Sequence, residues 1–167
     1  NLQVFDNKQL EYCCELAPII ESNGVYGYTK IGGNGTFCQL NTVNRCENPS
    51  CPGDVTVSSQ VEADFFSCEV VEGNLTLTGD YIYFDSLYSL QEVKGDLIIE
   101  DLYYVPTVNG LQNLHSVGGD VIIRNNVFLG NLQSLYQLTS VGGNIRIENN
   151  RDFSTVRGLE NISQAID

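Results

Sequence analysis

The sequence has no tryptophan, no methionine and few cationic residues. Eight Lys and Arg residues stand against 21 Asp and Glu residues, which gives a formal net charge of −13. A chain this acidic, with basic residues that do not cluster, repels nucleic-acid phosphates and anionic membrane surfaces. The sequence also lacks any run of roughly 18 apolar residues, so it predicts no membrane-spanning helix. We therefore expect neither nucleic acid as a partner nor direct insertion into a membrane.

The chain also lacks the C-x-x-C spacing of a zinc site, and it has a single histidine. Its six cysteines are Cys13, Cys14, Cys38, Cys46, Cys51 and Cys68. An even number of cysteines without metal-site spacing predicts three disulfides and an extracellular or cell-surface location. Glycosylation sequons at Asn34, Asn74 and Asn161 fit a secreted protein. Phosphate loops, dinucleotide fingerprints and metal-ligand clusters are missing, so we expect no cofactor, no metal and no catalytic residue.

The sequence does contain a repeat of 24 residues. Leucine recurs at Leu87, Leu111, Leu135 and Leu159, and the position three residues later holds Leu90, Leu114, Leu138 and Ile162. Short alternating stretches repeat with them at residues 75–77, 97–99, 121–123 and 145–147. Alternation places the outer two residues of each stretch inward and the middle one outward. The repeat therefore predicts an all-β solenoid of stacked parallel strands.

Polar residues recur at the corners of this solenoid. Asn74, Asp96, Asp120 and Asn144 each follow a corner glycine, where a short polar side chain is expected to bond its own turn. One carboxylate per coil supplies too few oxygens for calcium. The pairs at residues 125–126 and 149–150 are asparagines, whose amides are expected to bond the corner carbonyls. Both features indicate structure rather than a metal site.

The segment 68–77 resembles the opening of a receptor L domain, the family that includes ectodomain modules of the epidermal growth factor and insulin receptors. The segment 51–60, followed by a helix start at residues 62–64, is similar to L-domain proteins of fungal cell walls and of bacterial and protist surfaces. The resemblance covers residues 46–167. It implies a short right-handed parallel β-helix with an N-terminal capping segment that contains a short helix. It also implies a disulfide between Cys51 and Cys68 that clamps this helix over the open end.

Residues 1–45 resemble the end of such a domain rather than its start. The stretch 1–7 aligns with 144–150, so we expect Leu2, Val4 and Asn7 to take the places of Ile145, Ile147 and Asn150. The following segment resembles a double-cysteine cap. In that cap Cys13 and Cys14 would bond to Cys38 and Cys46, in an order that the sequence leaves open. Residues 46–167 would then form a β-helix without a C-terminal cap of its own.

This organisation leads to the main functional hypothesis, which is that the chain is a non-catalytic extracellular module with a structural or adhesive function. The strand at residues 1–7 would complete the last coil of another unit, head to tail. The units could be neighbours in a tandem array or separate subunits that exchange a strand into a filament. In the alternative, residues 1–7 fold back as an edge strand of their own domain.

A second hypothesis is a receptor ectodomain that binds a protein or glycan ligand. Its candidate face is the outward column Thr76, Ile98, Ile122 and Arg146, together with the exposed pair Tyr103 and Tyr104. The resemblance places the ligand-binding face of hormone receptors here, whereas strand propensity alone also explains the isoleucines. A third and remote hypothesis is a carbohydrate-active enzyme that uses Glu100 and Glu148. It is the least favoured, because Arg124 between them would stabilise both carboxylates in the ionised form.

Overall fold

The computed structural model describes residues 2–5, 29–32, 50–64 and 66–163. The chain divides into two compact units, Asn1–Pro49 and Ser50–Asp167. Cys13, Cys14, Cys38 and Cys46, as well as Asn7 and Asn34, lie outside the described residues. The proposed double-cysteine cap therefore stays a prediction.

The N-terminal unit contains strand β1, Leu2–Phe5, and strand β2, Thr29–Gly32. They pair in parallel, with Leu2 opposite Thr29 and Phe5 opposite Gly32. Strand β1 covers the segment in which the sequence predicts a strand, whereas β2 was not predicted. Its four residues carry no repeat signal, since Lys30 and Gly32 interrupt the apolar pattern.

The second unit contains two parallel sheets of five strands each. The first sheet holds β4 (Val55–Val57), β6 (Leu75–Gly79), β8 (Leu97–Leu102), β10 (Val121–Arg124) and β12 (Ile145–Glu148), neighbours in that order. The second sheet holds β3 (Ser50–Cys51), β5 (Val70–Val71), β7 (Glu92–Val93), β9 (Ser116–Val117) and β11 (Ser140–Val141), again in order. Each coil thus adds one strand to both sheets, as a solenoid requires.

The register of the first sheet follows the sequence repeat. Leu97, Val121 and Ile145 lie opposite one another, 24 residues apart at each step. The earlier steps are shorter, since Val55 pairs with Leu75 and Leu75 pairs with Leu97. The strands keep their register while the loops between them change length, and an irregularity after Leu77 absorbs part of the difference.

The core lies between the two sheets. The inward positions of the central strands are fully buried: Leu75, Leu77, Leu97, Ile99, Val121 and Ile123 are all 0% exposed. The repeated leucines Leu87, Leu111 and Leu135 are buried with them. Burial of each such side chain contributes about 1.5 to 3 kcal/mol, so the stack of coils is the main source of stability.

A short helix, α1 (Gln60–Asp64), precedes the regular coils. The Ser59 hydroxyl accepts the amide N–H of Glu62, and the Glu62 carboxylate accepts the backbone N–H of Ser58 at 2.7 Å and its hydroxyl at 2.9 Å. These bonds lower the pKa of Glu62, because they favour the ionised carboxylate. Ala63 is buried against the core.

Two short 3₁₀ helices, Asp85–Ser89 and Gln133–Leu135, form parts of later loops. The disulfide that the resemblance implied, between Cys51 and Cys68, is present, with 5.6 Å between the Cα atoms. Within the part of the chain that the structure describes, no helix is long and apolar enough to cross a bilayer.

Candidate functional site

A ladder of side-chain oxygens joins successive coils at one corner of the solenoid. Its members, the Asx ladder, are Asp54, Asn74, Asp96, Asp120 and Asn144. Each of the first four uses its Oδ1 to accept the backbone N–H of the next member, at 2.7 or 2.8 Å. The prediction that these side chains bond their own turn was wrong, because they reach across to the following coil.

The corner glycines explain this direction. A Cβ atom at Gly95, Gly119 or Gly143 would collide with the Oδ1 of the ladder residue one coil earlier. Glycine therefore leaves the space through which each oxygen reaches the next coil. All four bonds run in the same direction, from the N–H of one coil to the side-chain oxygen of the coil before it. The Oδ1 of Asn144 is therefore the acceptor that a further coil would use.

A second polar feature, the asparagine stack, consists of Asn126 and Asn150. Asn126 is fully buried and accepts the N–H of Leu102 at 3.0 Å, while its Nδ2 donates to the carbonyl of Ile99 at 3.0 Å. Asn150 accepts the N–H of Asn126 at 3.1 Å and donates to the carbonyl of Ile123 at 2.9 Å. Of the four asparagines predicted to bond corner carbonyls, Asn126 and Asn150 bond backbone carbonyls, although these belong to strand residues. The Nδ2 of Asn149 instead donates to the Oδ1 of Asn125 at 3.4 Å.

The coil that contains β12 differs from those before it. Ile145 is 38% exposed and Val156 is 61% exposed, although their counterparts one coil earlier, Val121 and Leu132, are buried. Ile147, Phe153, Leu159 and Ile162 are only partly buried. Strand β12 is the edge of the described sheet, so the inward side chains of this coil lack an overlying layer there.

The outward column is present as the sequence predicted it. Thr76, Ile98, Ile122 and Arg146 lie opposite one another on β6, β8, β10 and β12. Both isoleucines are half-buried, whereas Arg146 is exposed and lies 3.3 Å from the carboxylate of Asp120. The column therefore presents a small apolar pair beside a cation.

A charge pair occupies the neighbouring column. The Arg124 guanidinium lies 2.6 Å from the Glu100 carboxylate. Its hydrogen bond to Glu100 and the charge of that carboxylate raise the pKa of Arg124. The Glu100 carboxylate is thus paired with a permanent cation. The geometry gives no support to a glycosidase pair.

Aromatic rings gather on the loops that follow β6, β8 and β10. We call Tyr81, Tyr103, Tyr104 and Phe128 the aromatic strip. Tyr104 stacks on Tyr81 with 4.2 Å between ring centroids and on Phe128 with 5.3 Å. Tyr103 meets Tyr104 and Phe128 edge to face. The prediction that Tyr103 and Tyr104 are exposed is confirmed, at 40% and 45%.

The sequons fall in different surroundings. Asn74 is half-buried and commits its Oδ1 to the Asx ladder. Asn161 is exposed, and its Nδ2 donates to the carbonyl of Tyr136 at 2.7 Å. Glycosylation at either residue stays a prediction. Among the described residues, no group of three His, Cys, Asp or Glu side chains is arranged to hold a metal ion.

The comparison with protein-family models decides the family. The model of the receptor L domain matches residues 67–164, which is more than half of the chain. This chain belongs to the receptor L-domain family. No curated protein and no solved structure matches it. Receptor L domains are extracellular and generally non-enzymatic modules of receptor ectodomains that bind ligands, and the disulfide described above agrees with the extracellular setting.

Proposed function

We propose that this receptor L domain is a non-catalytic extracellular module that joins other L domains head to tail. The observation that supports the proposal is the edge at β12. There the Asx ladder presents its next acceptor, Asn144, beside the exposed Ile145 and Val156. A parallel strand placed along this edge would bury both apolar side chains and continue the ladder.

Strand β1 has the sequence that such an edge requires. Asn1 precedes Leu2 as Asn144 precedes Ile145, so the backbone N–H of Asn1 would be the next donor to the Asx ladder. Asn7 corresponds to Asn150 and would accept the N–H of Asn150, as Asn150 accepts that of Asn126. Strand β1 already pairs in parallel with β2, and a strand inside a parallel sheet pairs on both edges.

Covalent neighbours in a tandem array and separate subunits in a filament would share this contact. In both cases the contact is heterologous, since it joins two different surfaces. It therefore propagates into an open array wherever the rotation between units does not close a ring, and such an array suits a structural or adhesive surface protein.

Site-directed cross-linking tests the contact. Gln3 aligns with Arg146 on the outward face, so cysteines at Gln3→Cys and Arg146→Cys would lie roughly 5 Å apart across the joint. We expect a short bismaleimide to convert this variant into a ladder of covalent oligomers. Denaturing electrophoresis would display the ladder, and mass spectrometry would locate the linked pair.

The matched control uses the opposite edge of the same sheet. Thr56 lies on β4 in the same outward column as Arg146, so the Gln3→Cys, Thr56→Cys variant should give no oligomers. Intramolecular linkage in this control would show that residues 1–7 fold back on their own domain. That result, or the absence of a ladder in the first variant, would overturn the proposal.

A second candidate function is ligand binding by the outward column, supported by the half-buried Ile98 and Ile122 on an open sheet face. Ile122→Asp would abolish binding to such a protein ligand without altering the association of modules. A pull-down from the secreted fraction with wild type and variant would separate the two functions. Equal recovery of every partner by both chains would count against the candidate.

A further inference from the structure

The aromatic strip takes no part in the core or in the edge at β12. Its three tyrosines are exposed and Phe128 is half-buried, and the four rings lie on the loops of three consecutive coils. We propose that the strip docks a cationic segment of another protein, an activity separate from the head-to-tail contact. The case rests on the strained backbone of Tyr81, on the way the rings stack and on the charge around them.

Tyr81 is held in an unfavourable backbone conformation and yet remains exposed. Its φ of 56° lies in the left-handed region, where the other described non-glycine residues are Asp101, Asn125 and Asn149. Asp and Asn adopt this conformation readily, whereas a bulky aromatic residue does so at a cost of about 1 to 2 kcal/mol. Burial does not compensate that cost, since the side chain is 64% exposed.

The stacking geometry limits what the strip can bind. Tyr81 covers one face of Tyr104, and Phe128 covers the other, with interplanar angles of 20° and 13°. Tyr104, the central ring of the stack, therefore offers no open face to a sugar ring or a nucleobase. The stack instead presents a ridge of ring edges and hydroxyl groups, a surface that suits the aliphatic stem of a long side chain.

The charge around the strip favours a cation at the end of that stem. Residues 50–163 contain 15 Asp and Glu residues and five Lys and Arg residues, a difference of −10. Four of the five cations lie within 4 Å of a carboxylate of this same chain. Asp80 and Asp101, which precede Tyr81 and Tyr103 by one and two residues in the sequence, are exposed, and neither forms an ion pair within the described residues.

Both carboxylates lie close enough to act on the strip or its neighbour. The negative charge of Asp80 contributes to the raised pKa of Tyr104. That of Asp101 contributes to the raised pKa of Arg124, which also bonds Glu100. An arginine or lysine of a partner would lay its stem along the ring edges, with its charge attracted by these two aspartates. Tyrosine clusters of this kind are typical centres of protein interfaces.

The experiment measures binding of a defined peptide to the full chain. The probe is a fluorescent peptide of about eight residues, alternating arginine and leucine, which spans roughly 27 Å when extended and so exceeds the strip. We expect anisotropy titrations to show saturable binding that weakens with salt. Tyr81→Asn should weaken binding about tenfold, and Asp80→Asn with Asp101→Asn should weaken it at least as much.

Matched variants separate the strip from general attraction to an acidic protein. Tyr88→Asn removes a tyrosine that is 65% exposed but lies outside the strip, and Glu69→Gln with Glu148→Gln removes the same charge elsewhere. Both should change the affinity by less than about twofold. Asparagine suits the left-handed backbone at position 81, so that variant is expected to fold, and its thermal unfolding provides the check.

Each outcome decides the proposal. Selective loss on Tyr81→Asn and on the Asp80, Asp101 pair supports it. Equal loss on the Glu69, Glu148 pair means attraction by net charge alone and overturns it, as does binding of a peptide with serine in place of leucine at the same affinity. Absence of saturable binding by the wild-type chain also overturns it.

Discussion

Strands β10 and β12 carry nearly the same pattern, yet their surroundings differ. Val121 and Ile123 on β10 are 0% exposed, whereas Ile145 on β12 is 38% exposed and Ile147 is only partly buried. The residue types do not account for this, because isoleucine is at least as apolar as valine. A coil of this solenoid is buried by the coil stacked upon it. The two strands therefore provide an internal comparison between a covered layer and an open one.

The largest expected difference comes from removing a core side chain. Ile123→Ala should lower the free energy of unfolding by about 3 kcal/mol, since it leaves a cavity between two layers. Ile145→Ala should cost less than about 1 kcal/mol, because that side chain already contacts water. Urea denaturation followed by circular dichroism at low protein concentration would measure both. Similar losses at the two positions would mean that β12 is covered in solution.

The next difference concerns the asparagine stack. Asn126→Ala leaves the buried N–H of Leu102 without its acceptor and removes the amide bond to the carbonyl of Ile99, which should cost about 2 to 3 kcal/mol. Asn150→Ala should cost less, about 1 kcal/mol, because Asn150 is only partly buried and lies nearer the open layer than Asn126 does. Hydrogen exchange at the Leu102 amide provides a local measure. An exchange rate unchanged in Asn126→Ala would contradict the assigned bond.

A smaller difference is expected along the Asx ladder. Asp120→Ala removes the acceptor of the Asn144 N–H and the partner of Arg146, so it should cost about 1 kcal/mol. Asn144→Ala should be nearly neutral in the isolated chain, since its Oδ1 accepts no hydrogen bond from a following coil among the described residues. In an assembled preparation the same substitution should weaken association. Thermal unfolding of dilute and assembled samples would compare the two cases, and equal effects in both would argue against head-to-tail contact.

The smallest effect concerns ionisation in the aromatic strip, where Tyr104 is the covered ring and Tyr81 an end ring. The hydrogen bond with Tyr81, together with its charge, raises the pKa of Tyr104 above its ordinary value near 10. Because the folded pKa is raised, the stabilising contribution is complete below pH 10 and is lost as the pH rises through the folded value. The tyrosinate absorbance of wild type minus Tyr104→Phe would show this late titration. Tyr81→Phe should bring it back toward the ordinary value, and an early titration in wild type would refute the assignment.

Much of the stack of coils could be predicted, because the spacing of individual apolar residues determines the register of its strands. The spacing of Leu97, Val121 and Ile145 defines which positions share a column, and alternation defines which face inward. The resemblance added the disulfide between Cys51 and Cys68. These features depend on backbone periodicity, which a sequence displays directly.

Features that depend on side-chain direction could not be predicted in the same way. The Asx ladder was placed correctly in sequence, but a polar side chain at a corner can bond either its own turn or the next, and only the space beside Gly95 and Gly119 decides between them. The stacking of Tyr81 on Tyr104 depends on a left-handed backbone at residue 81, which the identity of a tyrosine does not indicate. Strand β2 has too few apolar residues to be recognised.

The Asx ladder also determines how such a molecule can change in length during evolution. Every ladder bond joins a backbone N–H of one coil to a side-chain Oδ1 of the coil before it. A duplicated coil inserted between two others could therefore form the ladder bonds to both of its neighbours. A single residue added inside a strand would break the bonds on both sides, whereas residues added to a loop leave them intact, as the shorter early coils illustrate. The solenoid can therefore gain or lose whole coils during evolution, and the sequences of the remaining coils need not change.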